Sequence, residues 1–168
     1  MDHRACIQEG TEVAYDCSPV PVVVALLTDA LEVRVANGAY HSHALRRTGE
    51  VVRWGGGLAD GLPTTSTPAP VPGVAAAVEI AAGFYHACAL IESGRILCWG
   101  RNHEGQLGDG TTTDRPLPVA VSGIDDAIEI SAGGYHTCAR RSSGDIVCWG
   151  QNTYGQLGDG TMENRSAP

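Results

Sequence analysis

Basic charge is scarce in this chain: its 168 residues carry 11 Lys+Arg against 19 Asp+Glu, a formal net charge of −8. A field of that sign does not gather phosphates, which excludes nucleic acid as the expected ligand. Long apolar runs are missing as well. The longest, Val20 to Leu27, is interrupted by Pro21 and closed by Asp29, far short of the roughly 20 residues that cross a bilayer. No membrane span is expected. Residues Met1 to Gly10 hold acids and a cysteine where a signal peptide needs a basic start and an apolar stretch, so the chain as it stands shows no export signal. One Phe and two Met leave little material for packed helices, whereas 22 Gly and 9 Pro supply turns. The balance favours β structure, in a chain long enough for one domain with its own core.

What the sequence does have is a repeat. Glu79-Ile80-Ala81-Ala82-Gly83-Phe84-Tyr85-His86-Ala87-Cys88-Ala89 returns fifty residues later as Glu129-Ile130-Ser131-Ala132-Gly133-Gly134-Tyr135-His136-Thr137-Cys138-Ala139. Cys98-Trp99-Gly100 returns as Cys148-Trp149-Gly150, and the loop from Gly105 to Thr111 as Gly155 to Thr161. A worn copy lies upstream, with Gly38-Ala39-Tyr40-His41, Trp54-Gly55 and a shortened glycine loop, Leu58-Ala59-Asp60-Gly61. A Pro-x-Pro-Val element recurs at Pro19, Pro68 and Pro116. The chain stops at Pro168, a place equivalent to Pro118, and so reads as ending inside a module.

Within a module the pattern predicts short strands over Val78 to Ala82, His86 to Ile91 and Arg95 to Trp99, with Glu92-Ser93-Gly94 as a hairpin loop of three residues. Short strands with Gly and aromatic punctuation once per module indicate a propeller. The order Gly-x-Tyr-His, Trp-Gly, Asn-x-x-Gly-Gln-Leu-Gly-Asp-Gly and Pro-x-Pro-Val resembles the regulator of chromosome condensation repeat family, over most of residues 19–168 and most strongly from residue 78. The resemblance implies an all-β, regulator-of-chromosome-condensation-like β-propeller whose ring is normally seven-bladed, built of four-stranded blades. About three blades are expected here, as an open arc or a truncated ring. Residues 1–18 are then an eroded module, 19–67 a degenerate repeat, 68–115 a repeat, and 116–168 a repeat truncated at its end.

The cysteines follow from hairpin arithmetic. Pairing Ile91 with Arg95 sets Cys88 opposite Cys98, and Cys138 with Cys148 repeats the arrangement; opposed strand residues stand close enough for a disulfide. In the worn copy both positions change together, to His43 and Arg53, as befits thiols that act in pairs. The competing reading is two buried free thiols per blade. Cys6 and Cys17 straddle Gly10 and are the candidates for a further bridge in an eroded hairpin. The ten-residue spacing lacks the close Cys-x-x-Cys pairs of a zinc site, so no metal is expected.

His41, His86 and His136 recur once per module, the habit of a structural residue rather than of a catalytic one, which normally stands single with an orienting acid. Trp54, Trp99 and Trp149 read likewise as core anchors. The Gly105 to Thr111 loop has no Lys and no Gly-x-Gly-x-x-Gly spacing, so it is a turn, with Leu107 filling the space beneath and Asp109 bonding nearby N–H groups, and not a phosphate cradle. No cofactor is expected. Recognition collects where the copies differ, which makes Arg101, His103, Arg141 and Tyr154 the candidate partner-binding residues.

These features predict a protein-protein interaction scaffold presenting variable blade loops to a protein partner, not an enzyme, with self-association through open blade edges as a further expectation. Members of the resembled family include an exchange factor for a small GTPase and a bacterial inhibitor of β-lactamases, both acting through one face of the ring. The residues responsible lie outside the shared motif, so neither activity carries over. A propeller enzyme with its site at the channel mouth, or a nonfunctional gene fragment, are the alternatives. The enzyme requires an acid or histidine cluster without a counterpart fifty residues away, and none has convincing spacing. Paired cysteines persist outside the reducing cytosol, so an extracellular, cell-surface or periplasmic location is expected.

Overall fold

Each run of alternating side chains between glycine turns becomes a strand in the computed structural model, which describes residues 21–35, 40–56 and 64–168. Ala30–Val35 (β1), His41–Arg46 (β2), Val51–Gly55 (β3) and Thr65–Pro70 (β4) form one antiparallel sheet in that order. Ala77–Ala82 (β5), His86–Ile91 (β6), Ile96–Gly100 (β7) and Arg115–Ala120 (β8) form a second. Ala127–Ala132 (β9), His136–Arg141 (β10) and Ile146–Gly150 (β11) form a third, and Arg165 bridges to Gly150 where a fourth strand would lie. Among the described residues there is no helix. The architecture is an open run of all-β propeller blades, as the repeat implied. Residues 1–20, with Cys6 and Cys17, lie outside the described residues, as do the glycine loop of the worn copy and Gly38-Ala39.

The hairpins repeat one turn. Ile91 N donates to Arg95 O at 2.8 Å and Gly94, at φ +83°, closes the loop with a bond to Ile91 O, also at 2.8 Å. A left-handed glycine as the third loop residue gives the strands the twist they need. That register places Cys88 opposite Cys98 and Cys138 opposite Cys148, each pair joined with Cα atoms 4.1 Å apart, while His43 faces Arg53 at the same place in the first sheet. Pro68, Pro70, Pro116 and Pro118 fall on β4 and β8, each paired on one side only within its sheet. Proline lacks the N–H that a second neighbour would require, so it belongs on an outer strand. The sequence units 68–115 and 116–168 are therefore out of phase with the sheets: each opens on the last strand of the preceding blade.

The core lies between sheets rather than within them. Trp99 of the second sheet is buried among Leu45, Val51 and Val71 of the first blade, and Trp149 of the third among Leu90, Ile96 and Val121 of the second. Each indole thus fastens its own blade to the one before it. A carboxylate per blade does the same at the inner strands: Glu32 accepts from Ile80 N and Glu79 from Ile130 N, both at 3.1 Å.

Candidate functional site

Antiparallel strands send successive loops to alternate ends of a blade. One end carries residue 40, residues 83–85 and 133–135, and the long loops 101–114 and 151–164; the other carries the hairpin turns 47–50, 92–95 and 142–145. Every Phe and Tyr among the described residues, namely Tyr40, Phe84, Tyr85, Tyr135 and Tyr154, stands at the first end. Tyr40 is 71% and Tyr154 85% exposed. Trp99 and Trp149 pack the core, Trp54 of the first blade is only half-buried and belongs to neither core cluster, and tyrosine crowds one rim.

That rim rests on a fixed foundation. Asn102 is fully buried; its Nδ2 donates to Asp109 Oδ1 (3.1 Å) and Thr111 O (3.0 Å), and its Oδ1 accepts from Leu107 N (3.0 Å). Asp109 Oδ1 also accepts from Thr111 N and Oγ1, and Oδ2 from Arg115 Nε at 2.8 Å. Asn152, Asp159, Thr161 and Arg165 repeat these bonds almost to the tenth of an ångström. Burial works to raise the Asp109 carboxyl, but the hydrogen bonds from Thr111 and Arg115 prevail and hold it below its ordinary value. The Thr161 hydroxyl and N–H, then Arg165 and Asn152, hold Asp159 well below the usual carboxylate range. The loop is a stapled turn with its acid already engaged. Gly108 sits at φ +71°, and a Cβ there would stand 2.6 Å from the Trp149 indole nitrogen, so the turn packs directly on the next blade's anchor.

Two of the three repeated histidines, His41 and His86, serve the blade joints, while His136 is half-buried on the third blade. His41 Nε2 lies 3.1 Å from Phe84 O of the next blade. The Thr137 hydroxyl donates to Gln106 O (3.0 Å), which leaves its oxygen to accept from His86 Nε2–H at 3.0 Å and fixes the tautomer. Trp149 Nε1 donates to the same Gln106 carbonyl at 2.9 Å. Burial, with smaller contributions from His136 and His41, pushes His86 down to about 3. Burial, then His41 and Arg53, does the same to His43. The His86 and His43 rings are thus held neutral and closed to solvent.

Of the four candidate partner-binding residues, the structure brings three to the aromatic end. Arg101 and His103 open the loop after β7, and Tyr154 lies in the matching loop of the next blade, joined to it by an Asn164 Nδ2 to Glu104 bond of 2.6 Å. His103 Nε2 is 3.4 Å from Asp114. Arg141 ends β10 at the opposite end, its Nε 2.8 Å from Asp126. It shares no patch with the others. The sequence reading passed over Tyr40, Phe84, Tyr85 and Tyr135 because they served only as markers ahead of the histidines. Their position in the turn before each second strand was the signal that they face outward at one end. Among the described residues no group of three or more His, Cys, Asp or Glu could hold a metal ion.

Two family models described as the regulator of chromosome condensation (RCC1) repeat match the chain, one over residues 93–140 and one over 77–106 and 127–156. No curated protein is matched by the sequence. Among solved structures the chain is similar to yeast RCC1 (Prp20) bound to Kap60, with 21% identity, a TM-score of 0.72, and coverage of 84% of this chain and 37% of that one. Human WBSCR16 gives 22%, 0.70, 83% and 38% for the same quantities. Prp20p from Saccharomyces cerevisiae, whose structure was described together with its binding to Gsp1p and histones, gives 28%, 0.64, 75% and 33%. The chain thus spans less than two-fifths of the length of each of these structures.

Proposed function

The chain belongs to the regulator of chromosome condensation repeat family through residues 77–156, and on that premise we propose that it is a protein-protein interaction scaffold that meets its partner at the aromatic end of its blades. One observation carries the reading: every described Tyr and Phe lies at that end, Tyr154 on the loop that the buried Asn152 holds in place and the others in the turns ahead of β2, β6 and β10. Tyrosine offers a large amphipathic contact at small entropic cost and is enriched in protein interfaces. The binding of Gsp1p and histones described for Prp20p supports a protein as the class of partner. A photoreactive amino acid at position 154 is expected to cross-link one protein in the native host, while the same group at position 143, on the opposite end, does not. Equal cross-linking from both ends would overturn the reading.

The forward face of the third blade supports self-association as a second mode. Ile96 is fully buried by the next blade, whereas Ile146, at the same place one blade on, is 71% exposed. The Cys88–Cys98 and Cys138–Cys148 bridges support an oxidising compartment, such as the periplasm, cell surface or medium. Mass spectrometry of non-reduced peptides from the native source tests this; free thiols there would remove the case for secretion.

A further inference from the structure

We infer that Arg101, stacked over two tyrosines, is the receptor for a carboxylate on an acidic segment of the protein partner. The inference rests on the aromatic end being the contact surface and adds the chemistry of what it takes.

The Arg101 guanidinium carbon lies 5.6 Å from the Tyr85 ring centroid and 5.7 Å from that of Tyr135, so it spans the joint between the second and third blades. Its backbone N–H donates to Tyr85 O at 2.8 Å, and Phe84 meets Tyr135 edge-on at 5.4 Å, which fixes the far ring. The chain has no lysine, so all of its cationic recognition falls to arginine. Arg46, Arg115, Arg140, Arg141 and Arg165 each lie within 2.9 Å of a carboxylate oxygen. Arg101 makes no ion pair among the described residues, and its buried Nε has no hydrogen-bond partner there.

Most of the described acids that share this end are already engaged, Glu163 excepted. Asp109 and Asp159 hold Arg115 and Arg165, Asp114 accepts from Asn102 N, and Glu104 accepts from Asn164. Among the described residues no carboxylate is paired with the guanidinium. Repetition supplies the other half of the argument. The second blade carries Arg101 where the third carries Gln151 and the first Gly56, although all three fold alike. A residue the scaffold required would recur, as His41, His86 and His136 do. Arg101 is thus free to serve recognition.

Aromatic stacking holds the guanidinium plane and strips part of its hydration, so little freedom remains to be lost when a carboxylate pairs with it. Such a bond is charge-assisted and can engage both oxygens. The net charge of −8 disfavours a phosphoryl dianion more than a single carboxylate, and what sets Arg101 apart from the exposed Arg47 and Arg95 is its aromatic seat.

The test uses the full chain and three labelled peptides: a short Leu-Glu-Gly repeat, its Glu→Gln counterpart, and a counterpart with phosphoserine in place of Glu. Fluorescence anisotropy at low salt is expected to show the Glu peptide binding about tenfold more tightly than either of the others. Arg101→Gln, which installs the residue the third blade tolerates, is expected to abolish that preference without shifting the melting temperature. Equal binding of the Glu and Gln peptides, a preference that survives Arg101→Gln, or tighter binding of the phosphopeptide would overturn the assignment. If all peptides bind alike yet Tyr154→Ser weakens each of them, the contact surface stands and only the carboxylate assignment falls.

Discussion

His86 shows how a single residue can tie two blades together and make their joint sensitive to acid. Its ring is buried, donates through Nε2 to Thr137, and is held down at about 3 by burial and by its histidine neighbours. An unfolded chain binds a proton on that ring near pH 6.5. Between those values the unfolded state holds more protons than the folded one, so stability is full above pH 6.5 and falls as pH drops toward 3. His43, also lowered to about 3, acts in the same direction. Moving from pH 7 to pH 5 is expected to lower the unfolding free energy by about 1–2 kcal/mol for each ring, read from urea midpoints. His86→Gln should reduce that pH dependence; a midpoint unchanged between the two pH values would contradict the account. Asn102 makes the second residue-scale case. Asn102→Ala leaves Leu107 N without its acceptor and takes one donor each from Thr111 O and Asp109 Oδ1, the latter keeping Thr111, and is expected to cost about 1–3 kcal/mol in chemical denaturation.

At the scale of elements, the anchor and the glycine loop form one unit. Trp149 of β11 is buried in the preceding blade's core and donates to Gln106 of the preceding blade's loop, with Gly108 against its indole. Trp149→Ala is expected to cost about 3–5 kcal/mol and to loosen the third blade first, so hydrogen exchange of β9–β11 should accelerate before that of β5–β8. Uniform acceleration across all three sheets would deny that the indole is the local fastener. The hairpins were legible in the sequence because loop length fixes register: with Ile91 against Arg95, Cys88 must face Cys98. The phase of the blades was not, since a tandem repeat has no intrinsic starting point. The pairing of β8 with β7, with Leu97 against Ala120 and Cys98 against Val119, assigns the Pro-x-Pro-Val strand to the blade before it. The candidate site was legible in part. Arg101, His103 and Tyr154 share an end because their loops follow equivalent strands. Arg141 was grouped with them on variability alone, although β10 runs from His136 at the aromatic end to Arg141 at the other.

The molecule as a whole has one end that is aromatic and rigid, and a third-blade face that is apolar and open. Ile146, 71% exposed, stands on that face. Concentration-dependent association is therefore expected, with Ile146→Glu returning the chain to monomer in sedimentation velocity; a chain already monomeric at the highest attainable concentration would speak against it. The proposed function rests on the aromatic end, and the most direct measurement is titration calorimetry with the protein cross-linked from position 154. Three chains are compared: the unaltered protein, Tyr40→Ser with Tyr154→Ser, and Ser143→Glu with Arg95→Ser on the opposite end. The account predicts a Kd weakened about tenfold or more by the tyrosine changes and unmoved by the others. A Kd indifferent to the tyrosines but weakened by the changes at positions 95 and 143 would contradict it.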